Sequence, residues 1–233
     1  MCDIGTLPLF GDPPLRFTKV PMREALTFYG LHHYAKGVST SALSFGCYEA
    51  GVLTGCVSFG TPCSENVRAS VFGSDHKDAV KELQRLARSP SCTVRPSSLV
   101  AEALKLYAAH RAAKGQPKLL ALISFADEHE GHFGGVYQAM SWLYCGTSEA
   151  NVDTFRDQDG KLRHRRQNGV IITKQRAAEL GWTWERNRHI KHRYIKLLGS
   201  KLERRRARKL LLLETCAYPK PDTRSEPSAG LYR

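Results

Sequence analysis

A chain of 233 residues with 42% hydrophobic content can bury one substantial core, as a single domain or a domain with an appendage. No run approaches the roughly eighteen apolar residues of a membrane span, and the opening residues lack the regions of a signal peptide, so a cytoplasmic protein is expected. The formal charge of +13 is concentrated, with 18 Lys and Arg against 6 Asp and Glu between Asn151 and Lys209; together with Trp182, Trp184 and Tyr194, this favours a nucleic acid over a membrane surface.

In chain order, residues 1–16 are rich in proline and glycine and form an extended or disordered arm. Residues 23–35 have helical spacing and end in His32, His33 and Tyr34. Two β-rich runs, 42–48 and 52–59, flank Glu49, Ala50 and Gly51 and predict a hairpin. A strand is expected over 82–88. A helix over 97–114 follows from Leu99, Val100, Ala103, Leu104 and Tyr107, and it stops at Gly115. The apolar run 118–125 reads as a central strand, and 135–144 as a helix carrying Val136, Met140 and Leu143. Strand, helix, strand and helix in this order imply a parallel pair with a right-handed crossover. Further on come a strand over 169–174, a short helix over 174–180, a strand over 193–198 and a helix over 203–213.

Three sets of residues could carry chemistry. Ser124, Asp127, His129 and His132 stand at the end of the central strand, where α/β sheets gather reacting groups. Tyr137 and Tyr144, seven apart on the predicted helix, share one side, and either phenol could serve as acid or hydrogen-bond donor. Arg88, Arg95, Ser97 and Ser98 surround a helix start suited to a phosphate. A metal on Asp127, His129 and His132 is not expected, because the spacing is loose. The seven cysteines are scattered without a C-x-x-C pair and read as reduced thiols. Arg163, His164, Arg165 and Arg166, then Lys191, His192, Arg193 and Tyr194, are the candidate phosphate-contacting clusters.

The runs ISFADEHEGHFGGVYQAMSWLYCG (123–146), KHRYIKLLG (191–199) and AYPKP (217–221), with HHY (32–34) and GVLTGCVSFGTP (51–62), resemble the Mom family of phage DNA-modification proteins. That resemblance implies a GNAT-like α/β fold, a mixed central sheet flanked by helices. It further implies conversion of adenine in double-stranded DNA to N6-carbamoylmethyladenine, which protects phage DNA from restriction. On this reading 17–150 is the catalytic core, 151–218 a basic DNA-binding portion completing the fold, and 219–233 a flexible tail. His33, Tyr34, Ser124, Asp127, Tyr137 and Tyr144 would form the catalytic centre, with Asp127 or His33 as base, and Arg88, Arg95, Ser97 and Ser98 would hold the donor. The usual glycine-rich pyrophosphate loop is replaced by SPSCTVRPSS. That departure speaks against acetyl-CoA as donor, and an activated glycine such as glycyl-tRNA is the other candidate, since a carbamoylmethyl group adds the atoms of one glycine residue. The alternatives are a GNAT-fold acyltransferase for a protein or small amine, and a non-catalytic basic DNA-binding protein.

Overall fold

A computed structural model describes residues 15–62, 64–164, 166–167 and 170–220 of the chain. Most of the expected arm and tail lie outside the described residues. The rest builds on an eight-stranded mixed sheet. Strand β1 (Arg16–Val20) pairs antiparallel with β2 (Leu43–Glu49), which turns into β3 (Val52–Gly60). The turn is tight because Ala50 and Gly51 both take positive φ, 51° and 79°, a pairing whose twist suits a two-residue hairpin.

Strand β4 (Val80–Arg88) adds antiparallel to β3, with one extra residue, Gln84, between the pairs Phe59↔Leu83 and Ser58↔Arg85. Such a bulge bends the strand and re-aims the side chains beyond it. Strand β5 (Ala121–Asp127) then runs parallel to β4, but they pair only from Val80↔Ala121 to Glu82↔Ile123. Past Glu82 the two strands part.

Helix α3 (Pro96–Ala113) makes the crossover between them, burying Leu99, Val100, Ala103 and Tyr107 against one sheet face. That core includes Phe45, Val57, Phe59, Leu83, Leu122, Tyr137, Trp142 and Tyr194. Because side chains alternate along a strand, Val80, Ala121, Ile123 and Ile195 point the other way, toward α2 (Glu65–Phe72) and α6 (Lys201–Leu210). Helix α1 (Met22–His32) packs Ala25, Phe28 and Tyr29 on Val20, Tyr48, Cys56 and Ala87. The expected mixed sheet flanked by helices is thus present.

Several expected elements differ. The helix expected over 135–144 is only α4 (Gly135–Ala139), since Ser141 turns the backbone left-handed at φ 55° and delivers Trp142 into the core. Tyr144 therefore lies on a strand, β6 (Leu143–Arg156), and shares no helix face with Tyr137. The strand expected over 193–198 is part of β10 (Thr183–Leu197), which fills the place between β5 and β6. Its polar first half, paired with β6 as far as Thr183↔Arg156, lacks the apolar signal that marks a buried strand. The edge strand β7 (Leu162–His164) closes the sheet. Among the described residues of the run 169–174, β9 (Val170–Ile171) is the strand, paired with β8 (Arg166–Gln167), before α5 (Lys174–Glu179) begins at its Thr173 cap. No helix among the described residues is long and apolar enough to cross a membrane.

Candidate functional site

The parting of β4 and β5 leaves a notch, and titratable side chains converge on it. Ser124 Oγ bridges the notch by donating to the Leu83 carbonyl at 2.7 Å and hydrogen-bonds the Tyr137 hydroxyl at 2.7 Å. Burial pushes the Tyr137 phenol up to about 12 despite the Ser124 bond, so it stays protonated. Glu82, the last paired residue of β4, is pushed by burial up to about 7, with Arg85 and Lys191 pulling it back. Arg85 is held by donating to the carbonyls of Gly37 and Gln84, both at 2.6 Å.

The loop after α1 brings His33 and Tyr34 to the same place. Burial first, then Arg85 and His132, lower His33 to about 4, so its imidazole is neutral at physiological pH. Its Nδ1 accepts the Ala35 N–H at 3.0 Å, which leaves the proton on Nε2. In that tautomer His33 donates from Nε2, so the carboxylates are better placed to accept a proton. Tyr34 stacks on His33 with ring centroids 4.5 Å apart and stands 5.3 Å from the His132 ring, 45% exposed at the mouth of the notch. Its phenol is raised by burial and by Asp127. Asp127, at the end of β5, has its Oδ2 3.7 Å from Lys191 Nζ on the neighbouring strand.

Of the sequence candidates, the structure gathers His33, Tyr34, Ser124, Asp127 and Tyr137, and adds Glu82, Arg85 and His132. Tyr144 stands apart, its hydroxyl 3.0 Å from His192 Nδ1. The side chain of His129 lies outside the described residues. The one acid among three bases in a strand-like run (VKELQRLAR) is the only mark the sequence puts on Glu82, and nothing there sets Arg85 apart from Lys81 and Arg88.

At the other candidate positions, Ser97 and Ser98 are exposed on the first turn of α3 and neither caps it; Arg95 occupies the cap position, followed by Pro96. Arg88 is turned inward, donating to the Cys92 carbonyl at 2.5 Å. On the basic strands, Arg163 is ion-paired with Asp157 at 2.6 Å, and Arg193 reaches the Thr147 carbonyl at 3.5 Å. Alternation along β10 turns His192 and Tyr194 into the core at 5% and 0% exposure, contrary to the expectation that they face DNA. Tyr194 donates to the Phe133 carbonyl at 2.6 Å. Arg165 and the side chains of His164 and Arg166 lie outside the described residues. Lys174 Nζ sits 3.7 Å from the Trp184 ring, a cation–π contact on the basic ribbon.

The chain is 27% identical over 221 residues to the "Methylcarbamoylase mom" of Escherichia phage Mu, covering 93% of this chain and 88% of that protein. Similar solved structures include an N-acetyltransferase from Staphylococcus aureus Mu50, with TM-score 0.45 and 11% identity. Another is a Bacillus subtilis acetyltransferase in complex with CoA, with TM-score 0.43 and 11% identity. Each alignment covers 80% of this chain and 100% of the other. The model of the Mom protein family matches residues 14–220, nearly the whole chain, and the chain belongs to that family.

Proposed function

We propose that this protein is a transferase that modifies DNA, converting adenine to N6-carbamoylmethyladenine at the notch between β4 and β5. The observation that carries the reading is the convergence of two carboxylates, Glu82 and Asp127, with a neutral imidazole and a protonated phenol. The phage Mu relative is named a methylcarbamoylase, which supports transfer of a group of the same atomic composition.

Adenine N6 is a weak nucleophile because its lone pair is delocalised into the ring. A base must take its proton while the donor's carbonyl oxygen is stabilised. Glu82, raised to about 7, is the proposed base, since an acceptor poised near neutral pH combines availability with driving force. Asp127 receives the amino group at the mouth. His33 Nε2–H donates a hydrogen bond to the developing oxyanion, while Tyr137, whose one O–H proton goes to Ser124, positions the wall of the notch. A paired adenine has to leave the duplex to react, and the Tyr34 and His132 rings offer a surface for the flipped base. Lys191 and the basic ribbon contact phosphates, while Arg95, Ser97, Ser98 and the start of α3 hold the donor.

The donor is a glycyl ester such as glycyl-tRNA, because the acetyl group of acetyl-CoA lacks the amide nitrogen of the product. The glycyl group contains every atom the product gains: N6 acylation releases the ester's hydroxyl as leaving group, and attack of the glycyl amine on C6 then breaks the C6–N6 bond, so that the original nitrogen becomes the amide. Nucleoside mass spectrometry of DNA from cells expressing the protein tests the reading. An adenosine heavier by one glycine residue supports it. An unchanged adenine pool returns the choice to an acyltransferase for proteins or small amines, or to a DNA-binding protein without activity.

A further inference from the structure

Cys47 on β2, Glu49 at its end and Cys92 in the loop before α3 form a second constellation that the proposed chemistry does not use. One ligand atom from each lies within 4.8 Å of the others, and the two sulfurs are 3.9 Å apart. Two thiolates on a tetrahedral zinc ion with bonds of about 2.3 Å stand about 3.8 Å apart, so the sulfurs need hardly move. Nothing in the cysteine spacing announces this site, because the hairpin and the loop after β4 assemble it.

Three surrounding features fit an ion. Gly55 on β3 lets both sulfurs lie close over the strand: a Cβ there would meet Leu99 Cδ2 at 2.7 Å, Cys47 Sγ at 2.8 Å and Cys92 Sγ at 3.5 Å. The Glu49 carboxylate is oriented by the Thr93 N–H at 3.2 Å and by the hydroxyls of Thr93 and Thr54, as metal-binding carboxylates are. A divalent ion with two thiolates and one carboxylate carries a net charge of −1. Arg88, whose Nη2 donates to the Cys92 carbonyl, has a buried Nε with no hydrogen-bond partner, placing a compensating cation beside that charge.

We propose that Cys47, Glu49 and Cys92 bind one thiophilic divalent cation, zinc being the natural occupant, which fastens the loop 89–95 to the β2–β3 hairpin and so fixes the start of α3. Binding displaces the two thiol protons to solvent and forms two metal–sulfur bonds and one metal–oxygen bond, with no change of oxidation state.

The experiment is metal analysis of the full chain purified under reducing conditions. About one equivalent of zinc per chain is expected. It should be lost in the C47S/C92S double variant and retained in Asp127→Asn, which separates this site from the notch. Should the double variant fail to fold, cobalt(II) titration of the unaltered metal-free chain decides, since ligation by Cys47 and Cys92 requires a thiolate-to-cobalt charge-transfer band. Absence of both zinc and that band overturns the proposal. So does zinc that survives C47S/C92S, or an intact mass short of two hydrogens that marks a Cys47–Cys92 disulfide.

Discussion

Replacing Glu82 by Gln should change how stability depends on pH. The folded Glu82 titrates at about 7 against an ordinary 4.5, a gap of about 2.5 pH units worth about 3 kcal/mol at most. A raised carboxyl pKa means the folded state holds a proton the unfolded state has lost. Stability from this group is therefore full below pH 4.5 and declines as pH rises to about 7. His33 has the opposite sign: lowered from 6.5 to about 4, it contributes stability above 6.5 that is lost as pH falls toward 4. In the natural chain the two slopes oppose one another over their shared range. Glu82→Gln removes one of them. It should stabilise the protein at pH 7 by up to about 3 kcal/mol, which is about 6 to 12 °C in Tm for a chain of this size. The gain should shrink toward zero at pH 4.5 and uncover the His33 slope. Modification should fall by about 10²- to 10⁴-fold, as expected for a lost general base. The assay is a series of thermal melts from pH 4 to 8 alongside modified adenine per total adenine. Parallel melting curves for the two proteins would refute the assigned burial and charge of Glu82, and undiminished modification would refute its role as base.

Other outcomes follow from the same geometry. Asp127→Asn keeps the shape of the side chain while removing its charge; the protein should melt normally, bind DNA and lose most modification, as read by nucleoside mass spectrometry and a binding titration. Neutralising Arg165, Arg166, Lys191 and Arg193 together should flatten the dependence of DNA affinity on salt by about 0.9 in log–log slope for each phosphate no longer neutralised, and an unchanged slope would remove these residues from the interface. Gly134→Ala should destabilise the fold by more than about 2 kcal/mol, because a Cβ would meet the Tyr194 ring at 2.3 Å and the backbone there has φ 76°; a denaturant titration checks it. Carbon-labelled glycine offered as glycyl-tRNA should enter the modified nucleoside if the glycyl group is the donor, and label entering only from acetyl-CoA would exclude it.

Periodicity made α3 readable, because Leu99, Ala103 and Tyr107 answer to one packed face, and continuous apolarity marked β5. The hairpin was legible through Ala50 and Gly51. The long β6–β10 ribbon was hidden because Val152, Phe155, Trp184 and Ile190 are scattered among polar residues in its far half, leaving no regular alternation to detect. Tyr144 was misplaced by a single left-handed residue, Ser141, which ends a helix whose apolar spacing continues past it. At the site, Asp127 could be placed by its position at a strand end. Glu82 could not, since its significance comes from the end of pairing between β4 and β5 just beyond it, a property of two segments about forty residues apart. The burial of His192 and Tyr194 has a similar origin: β10 is covered on one side by α4 and the turn before it, which the sequence places far away.

The proposed chemistry is tested most directly by the mass of adenine nucleosides in DNA from cells expressing the natural chain, Glu82→Gln or Asp127→Asn at matched levels. An adenosine heavier by one glycine residue is expected with the natural chain, and little or none with either variant. A natural chain that is folded and binds DNA yet leaves adenine unchanged, or variants that modify it as well as the natural chain, would contradict the proposal.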